Sequence, residues 1–309
     1  MTVGEAGEFG AVARITGRLS AAPAVLLGPG DDAAVVAAPD GRVVATTDVL
    51  VQGRHFRTDW STGYDIGRKA AAQSLADIAA MGAVPTALLV GLACPPDTAL
   101  AWLEQLTDGL RDEAAEAGGS VAGGDVVRAD EVVVAVTALG DLQGRAPVTR
   151  AGARAGNVVA VCGRLGWAAA GLAVLGRGFR SPAAVVAAHR RPEPPYKQGP
   201  LAAAAGATSM IDVSDGLTQD LGHVAAASSV AIDLQRTAFD VPQRLTDVGA
   251  ALGIDPYGWV LGGGDDHALA ATFAGDVPDG WRVVGTVAAG EGVTLDGEHY
   301  LDGHDHFRT

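Results

Sequence analysis

Lysine is almost missing from this chain of 309 residues: Lys69 and Lys197 are its two lysines, and neither is followed by serine or threonine. The phosphate-binding loop of P-loop nucleotide-binding proteins requires a Gly-Lys-Ser/Thr sequence, so that class is excluded. The Gly-x-Ser-x-Gly nucleophile elbow of the α/β-hydrolases is missing too. A formal net charge of −14 argues against a surface that binds nucleic acid or an anionic membrane.

Cysteine, aromatic residues and long apolar runs are equally scarce. Cys94 and Cys162 lie far apart in or beside apolar segments, so we expect two buried, reduced thiols in a cytoplasmic protein. No apolar run approaches the length of about 18 residues that a membrane span needs. No basic region followed by an apolar stretch marks a secretory signal at the N-terminus. With 48% hydrophobic and 19% charged residues, the chain has the composition of a globular protein.

Aspartate, by contrast, is concentrated in short segments rich in glycine and other turn-forming residues. Carboxylate oxygens are hard ligands that suit Mg²⁺, which combines a few of them with water and phosphate oxygens. Most of these aspartates border apolar or small residues, where an unpaired carboxylate is costly and a bound cation removes that cost. They therefore predict a magnesium–phosphate site. Its candidates are Asp31, Asp32, Asp48, Asp77, Asp125, Asp212 and Asp215.

The order of apolar patterns predicts a mixed α/β chain that divides near residue 150, within the turn-rich segment 145–152. In the first half, we expect strands at 43–47, 86–92 and 131–137 and helices at about 64–81 and 97–117. In the second half, we expect strands at 158–163, 209–212, 231–234, 268–273 and 283–287, and helices at about 166–176, 181–190, 196–205 and 216–228.

Taken one at a time, the aspartate motifs leave structural and functional roles open. Gly30-Asp31-Asp32 is most often an ordinary turn. Thr46-Thr47-Asp48 is expected to end a strand, where its oxygens either converge on a ligand or cap the next element. Asp212 and Asp215 flank Ser214, and this junction either caps the following helix or binds an anion at the same place.

The remaining segments give further expectations. Asp77 lies in a helix among apolar residues, where a solvated face is one of several possibilities. Asp65 and Lys69 form an i,i+4 pair, which predicts support on a helix surface. His55 follows Thr46-Thr47-Asp48 closely, so ligand contact competes with a packed or surface role. The three glycines of the segment 262–267 predict a flexible, acidic loop that faces a ligand.

The full set of motifs resembles the thiamine-monophosphate kinase family, within the superfamily that also holds aminoimidazole ribonucleotide synthetase. Each segment is modest alone, but seven in this order and spacing are specific and cover nearly the whole chain. They are residues 28–34, 46–56, 76–85, 123–128, 148–153, 212–217 and 263–269.

The resemblance implies an α/β (α+β) fold of the synthetase-like type with two domains. Residues 1–150 would form an N-terminal domain that binds ATP and Mg²⁺ and dimerises through its sheet, and residues 151–309 a C-terminal α/β domain. It also implies a homodimer that uses several Mg²⁺ ions and ATP as co-substrate. The implied reaction phosphorylates thiamine monophosphate to thiamine diphosphate by direct in-line transfer. The acceptor already carries an anionic phosphate nucleophile, so alignment and charge neutralisation would replace a strong general base.

Motif matching also assigns roles to individual residues. The implied metal ligands are Asp32, Thr46, Thr47, Asp48, Asp77, Asp125, Asp212 and Asp215. The implied ATP contacts are Gly124, Asp125, Arg150 and Ser214. The implied contacts to thiamine monophosphate are His55, Asp265 and Phe307. The catalytic set drawn from these is Asp32, Asp48, Asp77, Asp125 and Asp215.

The chain departs from the family pattern at four positions. Asp265 stands where the family usually has glutamate, so its carboxylate reaches one methylene less far towards the substrate. Ala76 stands where serine is usual, and Gln52 where glutamate or alanine is frequent. Asn157 occupies a position where aspartate is common, in a turn that we expect to be structural.

Four other classes of protein compete with the kinase interpretation. A sister synthetase would use ATP to activate an amide oxygen. A selenophosphate synthetase would show a reactive cysteine near its N-terminus, whereas none precedes Cys94. The hydrogenase-maturation relative ends in cysteine, whereas this sequence ends Phe307-Arg308-Thr309. A scaffold that binds divalent ions without turnover is the non-enzymatic alternative, and an assay of diphosphate formation separates it from a kinase.

Overall fold

The computed structural model of the chain describes residues 1–29 and 33–304. Two compact units emerge from it, the first formed by Met1–Ile78 with Ala83–Gly144 and the second by Ala79–Gly82 with Arg145–Thr309. The boundary between Gly144 and Arg145 lies at the edge of the turn-rich segment seen in the sequence. No helix in the described ranges combines the length and the apolar character needed to cross a membrane.

The first unit contains a four-stranded sheet with two long helices on one of its faces. Its elements are α1 (Val3–Thr16), β1 (Val25–Leu27), β2 (Val35–Val36), β3 (Val44–Val51), α2 (Gly63–Ala80), β4 (Val84–Cys94), α3 (Leu100–Glu116), β5 (Ser120–Arg128) and β6 (Val133–Asp141). The strand order is β3-β6-β4-β5, in which β4 and β5 run parallel and the other pairs antiparallel.

Alternation along β6 decides which face of this sheet is covered. Val134, Val136 and Ala138 point to the same face and are all buried. The opposite face leaves apolar side chains in solvent: Val49 is 47% exposed, Leu89 39% and Val127 52%. One face of the sheet is therefore covered within the unit, and the other is an uncovered apolar face.

Helices α2 and α3 pack unusually closely because glycine lies at their contact. A Cβ atom on Gly67 would lie 2.1 Å from the carbonyl oxygen of Leu106. Any side chain at position 67 would force the two backbones apart. Arg68 of α2 also pairs with the buried Glu113 of α3, which adds a charged contact beside the glycine contact.

The second unit is built on a seven-stranded mixed sheet with the strand order β13-β12-β9-β11-β7-β10-β8. Its elements are β7 (Val158–Cys162), α4 (Trp167–Gly176), α5 (Ala183–Arg190), α6 (Gln198–Ala204), β8 (Ala207–Val213), α7 (Leu217–Ser228), β9 (Ala231–Leu234), a 3₁₀ turn (Arg236–Ala238), α8 (Gln243–Leu252), α9 (Pro256–Gly262), β10 (Ala268–Phe273), β11 (Arg282–Ala288), β12 (Gly292–Leu295) and β13 (Glu298–His299).

Two predicted local structures are wrong. Thr46-Thr47-Asp48 does not end a strand but lies in the middle of β3, because the ladder with β6 continues to Val51. Gly123-Gly124-Asp125, where no strand was expected, is part of β5. Glycine is depleted in strands, so strand β5 was not predicted from the sequence. A Cβ on Gly124 would lie 2.1 Å from the carbonyl oxygen of Val90 on the neighbouring strand.

Both cysteines are free and buried, as the sequence predicts. Burial raises the pKa of the Cys162 thiol to about 11 and also raises that of Cys94. A high pKa keeps a thiol protonated and unreactive at neutral pH. Neither cysteine therefore has the properties of a nucleophile.

Candidate active site

In the first unit, β3 and α2 bring four of their polar side chains together in two pairs. Thr46 and Asp48 are two residues apart on β3 and so face the same side, towards α2. The Thr46 hydroxyl donates to Oδ2 of Asp77 on α2 over 2.6 Å. The Ser74 hydroxyl, one helical turn earlier, donates to Oδ2 of Asp48 over 2.7 Å. Each carboxylate is thus held by one hydroxyl from the opposite element.

Thr47 and Asp125 lie on the other face of the same sheet. Thr47 is exposed and accepts a hydrogen bond of 3.1 Å from Thr137, its partner on β6. Asp125 is exposed on the edge strand β5, and its Oδ1 accepts the backbone N–H of Val126. Within the first unit, the structure therefore separates these two predicted ligands from Thr46, Asp48 and Asp77.

His55 lies in the loop that follows β3 and is half-buried. Its Nδ1 accepts the backbone N–H of Val51 over 3.0 Å, which fixes the ring in its neutral tautomer with the proton on Nε2. The Lys69 ammonium lies 3.4 Å from the carbonyl oxygen of His55. The expected surface role of the Asp65–Lys69 pair is wrong: the two residues are 7% and 2% exposed, because α2 is covered where they lie.

In the second unit, Asp212 is buried on β8, just before the Ser214 turn. Its Oδ2 lies 3.0 Å from Nδ1 of His267, the residue directly before β10. The backbone N–H of His267 donates to the carbonyl oxygen of Val213, and that of Asp265 donates to the carbonyl oxygen of Ser214. Hydrogen bonds thus join the turn after β8 to the turn before β10, although the two turns are far apart in sequence.

Asp220 organises this turn, although no motif drew attention to it. Its Oδ2 accepts the backbone N–H groups of Asp215 and Gly216, both over 3.1 Å. Helix α7 has Gly216 as N-cap, without a side-chain hydrogen bond, so capping by Ser214 or Asp215 is wrong. Burial, then the charge of Asp212, raises the pKa of Asp220 to about 7. The available sequence signal for Asp220 was its position in the first turn of α7, where acidic residues are favoured.

The segment 262–267 is not the flexible loop that its glycines predict. Asp266 and His267 are 4% and 2% exposed, and Oδ1 of Asp266 accepts the N–H of Ala168 at the start of α4. Asp265, which is half-buried, has φ of +68°, and His267 has φ of +52°. Non-glycine residues held in the left-handed region carry strain, which is frequent at ligand sites. Burial raises the pKa of Asp266 to about 7.

Hydrogen bonds hold residues 302–304 beside the turn that contains Ser214 and Asp215. Thr218 of α7 exchanges hydrogen bonds with the backbone of Asp302, and Gln219 donates to the carbonyl oxygen of His304 over 2.6 Å. The N–H of His304 in turn donates to the carbonyl oxygen of Asp215. Phe307, a predicted substrate contact, and Asp32, a predicted metal ligand, lie outside the described residues.

Three predicted ATP contacts show less specific surroundings. The side chain of Arg150 is exposed, and its carbonyl oxygen accepts the Ser228 hydroxyl. Ser214 is half-buried in the turn described above. Gly124 is exposed in β5, where its lack of a side chain lets the carbonyl oxygen of Val90 on β4 approach closely.

The donor chemistry of both units fits Mg²⁺, since the groups are carboxylates and hydroxyls with no sulfur ligand among them. In neither unit, among the residues that the structure describes, do three aspartate, glutamate, histidine or cysteine side chains converge as a preformed cage. Magnesium commonly keeps several waters and completes its shell with substrate phosphates, so one or two protein carboxylates suffice.

Known proteins resemble this chain along nearly its whole length. Residues 30–142 match the family described as AIR synthase related protein, N-terminal domain. The thiamine-monophosphate kinase of Mycobacterium tuberculosis is 52% identical over 301 residues, which span 97% of this chain and 90% of that protein.

Solved structures agree with the sequence comparison. The crystal structure of thiamine-monophosphate kinase from Stenotrophomonas maltophilia superposes with a TM-score of 0.81 at 32% identity, covering 94% of this chain and 95% of the other. The structure of AaThiL complexed with AMPPCP and TMP also gives a TM-score of 0.81, at 29% identity and with 99% of each chain covered.

Proposed function

Because the chain belongs to the thiamine-monophosphate kinase family, we propose that it transfers the γ-phosphoryl group of ATP in line to thiamine monophosphate, with Mg²⁺ held by its aspartates. The protein is a thiamine-phosphate kinase with ATP as co-substrate. The observation that carries the finer proposal is the pairing of Asp48 and Asp77, each oriented by a hydroxyl from the facing element.

In the first unit, residues 1–150 in the proposed domain division, Asp48 and Asp77 with Thr46 supply oxygen ligands from the covered side of the sheet. Asp125 and Thr47 supply them from the uncovered face, and Gly124 on β5 is a proposed ATP contact. Asp32 completes the proposed metal set. His55 is proposed to contact thiamine monophosphate.

In the second unit, residues 151–309, Asp212 and Asp215 are the proposed metal ligands. Ser214 and Arg150 are the proposed ATP contacts there. Asp265 and Phe307 are assigned to thiamine monophosphate. A carboxylate suits the cationic thiazolium of this substrate, and an aromatic face suits a flat cationic ring.

The proposed chemistry needs positioning more than proton transfer. A phosphate oxygen of thiamine monophosphate forms a bond to the γ-phosphorus of ATP, while the bond from that phosphorus to the bridging oxygen breaks and ADP leaves. The acceptor oxygen is already anionic, so no histidine base is required. Bound Mg²⁺ would neutralise the phosphate charge that otherwise keeps two anions apart. The aspartates hold their orientation through hydroxyl and backbone donors, which lowers the cost of ordering the site.

Two further features belong to this proposal. The uncovered apolar face of the first unit is the proposed surface for a homodimer, since apolar patches of this kind mark interaction sites. We also propose that the reaction takes place in the cytoplasm, because both cysteines are free and buried and do not form a disulfide.

Turnover by single-substitution variants tests the metal ligands. Asp77→Asn and Asp125→Asn conserve side-chain volume but remove a charged ligand, so kcat should fall by about a hundredfold or more. The matched control is Asp247→Asn on the exposed side of α8, which should keep full activity. Diphosphate formation from ATP and thiamine monophosphate is the measurement. If either site variant remains fully active at low Mg²⁺, that residue is not a ligand.

A further inference from the structure

Ser74 is a buried hydroxyl on α2 that none of the assigned roles includes. The residue is 0% exposed and lies between Gln73 and Leu75 in the sequence. Its Oγ lies 2.7 Å from Oδ2 of Asp48 and 3.0 Å from the carbonyl oxygen of Val136 on β6. A hydroxyl carries one proton, and the shorter contact is with the charged acceptor, which forms the stronger bond.

This arrangement differs from that of an ordinary buried helical hydroxyl. Serine and threonine inside helices commonly donate to the carbonyl oxygen four residues earlier. Thr107 of α3 does so: it is 3% exposed and its hydroxyl donates to the carbonyl oxygen of Leu103 over 2.9 Å. The hydrogen bonds of Ser74 instead leave its own helix and reach the sheet.

The contact selects one orientation of the Asp48 carboxylate. Ser74 occupies Oδ2, while Oδ1 accepts no hydrogen bond from the described part of the chain. Asp48 is half-buried on a strand, so few rotamers of its side chain allow Oδ2 to accept the Ser74 hydroxyl. The carboxylate is thereby fixed with one oxygen held by the protein and the other left for a ligand.

We propose that Ser74 is a positioning residue for Asp48, holding Oδ2 so that Oδ1 is presented to the divalent cation. This inference rests on the proposed role of Asp48 as a Mg²⁺ ligand. It parallels the Thr46–Asp77 bond one helical turn away, so that each carboxylate is oriented from the facing element. Partners that orient metal ligands commonly change metal affinity by about tenfold or more when they are removed.

Binding of Mn²⁺ to the full chain without nucleotide tests the inference apart from turnover. Electron paramagnetic resonance counts free Mn²⁺ directly, and the variants are Ser74→Ala, Asp48→Asn and the control Thr107→Val. Ser74→Ala should raise the Kd for Mn²⁺ by about tenfold, whereas Thr107→Val, which also removes a buried helical hydroxyl in the same unit, should leave it unchanged. In turnover assays, Ser74→Ala should need about tenfold more Mg²⁺, with an unchanged KM for thiamine monophosphate.

Ser74→Cys keeps the side-chain volume with a weaker donor, so its Mn²⁺ affinity should fall between those of the parent and Ser74→Ala, and it serves if the alanine variant does not fold. If Asp48→Asn weakens Mn²⁺ binding but Ser74→Ala and Ser74→Cys behave like Thr107→Val, the positioning role is wrong while Asp48 remains a ligand. If Asp48→Asn binds Mn²⁺ as the parent does, both the inference and the proposed role of Asp48 are overturned.

Discussion

Carboxylates in this protein are held in two different ways. Asp48 and Asp77 accept hydroxyl donors and are half-buried, so a cation can reach them. Asp266, in contrast, is buried away from water; its Oδ1 accepts one backbone N–H, and its Oδ2 has no hydrogen-bond partner among the described residues. The first kind suits a metal ligand, and the second suits a carboxyl group that is protonated at mildly acidic pH.

Asp266 should therefore make stability depend on pH. Burial raises its folded-state pKa to about 7 from the ordinary value of 3.8, so the folded state binds more protons than the unfolded state between these values. Its contribution to the free energy of unfolding is fully present below about pH 4 and is lost as the pH rises through 7. The loss amounts to a few kcal/mol, at about 1.4 kcal/mol for each pKa unit.

Chemical denaturation of the parent and Asp266→Asn in EDTA, at pH 5 and pH 8, measures this contribution. The asparagine cannot titrate, but its carbonyl oxygen can still accept the Ala168 N–H. The parent should lose more stability than the variant between the two pH values. Equal losses would show that Asp266 does not titrate in this range.

At the scale of single residues, the candidate ligands could be identified from the sequence, but their hydrogen-bond partners could not. The motif around Asp77 drew attention to the residue, while its bond to Thr46 depends on α2 lying over β3. Ser74 carries no sequence signature, because it acts on atoms that only the folded chain brings near, whereas the one signal for Asp220 was its place in the first turn of α7. Asp65 and Lys69 had the spacing of a surface pair, yet tertiary packing buried both.

Among the elements, the contact between α2 and α3 is the most sensitive to a single substitution. Gly67→Ala places a methyl group about where the Leu106 carbonyl oxygen lies, and it should lower the free energy of unfolding by about 2–4 kcal/mol. Gly258→Ala in α9 is the matched control, since a Cβ there meets nothing within 4 Å. Urea denaturation should show the control at or above the stability of the parent. A Gly67→Ala variant as stable as the control would contradict the close approach.

Long, strongly patterned elements were predictable, whereas short or glycine-containing ones were not. Helices α2 and α7 begin and end within about one residue of the expected positions, because apolar periodicity marks both, Gly82 follows the end of α2 and Gly216 precedes α7. Strand β5 was missed because Gly123 and Gly124 weaken the strand pattern. Helices α8 and α9 were missed as well, although both carry local signals: α8 is strongly amphipathic, and Asp255 followed by Pro256 marks the start of α9.

For the whole molecule, the uncovered face of the first unit is the surface on which the proposed homodimer can be tested. Leu89→Glu places a charge among apolar side chains on this face, and it should convert a homodimer into monomers. Leu172→Glu is the matched control, because Leu172 is 47% exposed but belongs to the second unit. Sedimentation velocity at micromolar concentration should give about twice the chain mass for the parent and the control. A parent that sediments as a monomer would contradict the proposed dimer.

The burial of Lys69 also determines how this protein can be chemically modified. Lys69 is 2% exposed, and Lys197 is exposed. An amine-directed reagent therefore reaches the side chain of Lys197 on the native chain and does not reach that of Lys69. A fluorophore, biotin or solid support attached through Lys197 leaves every residue proposed to bind metal, ATP or thiamine monophosphate unmodified.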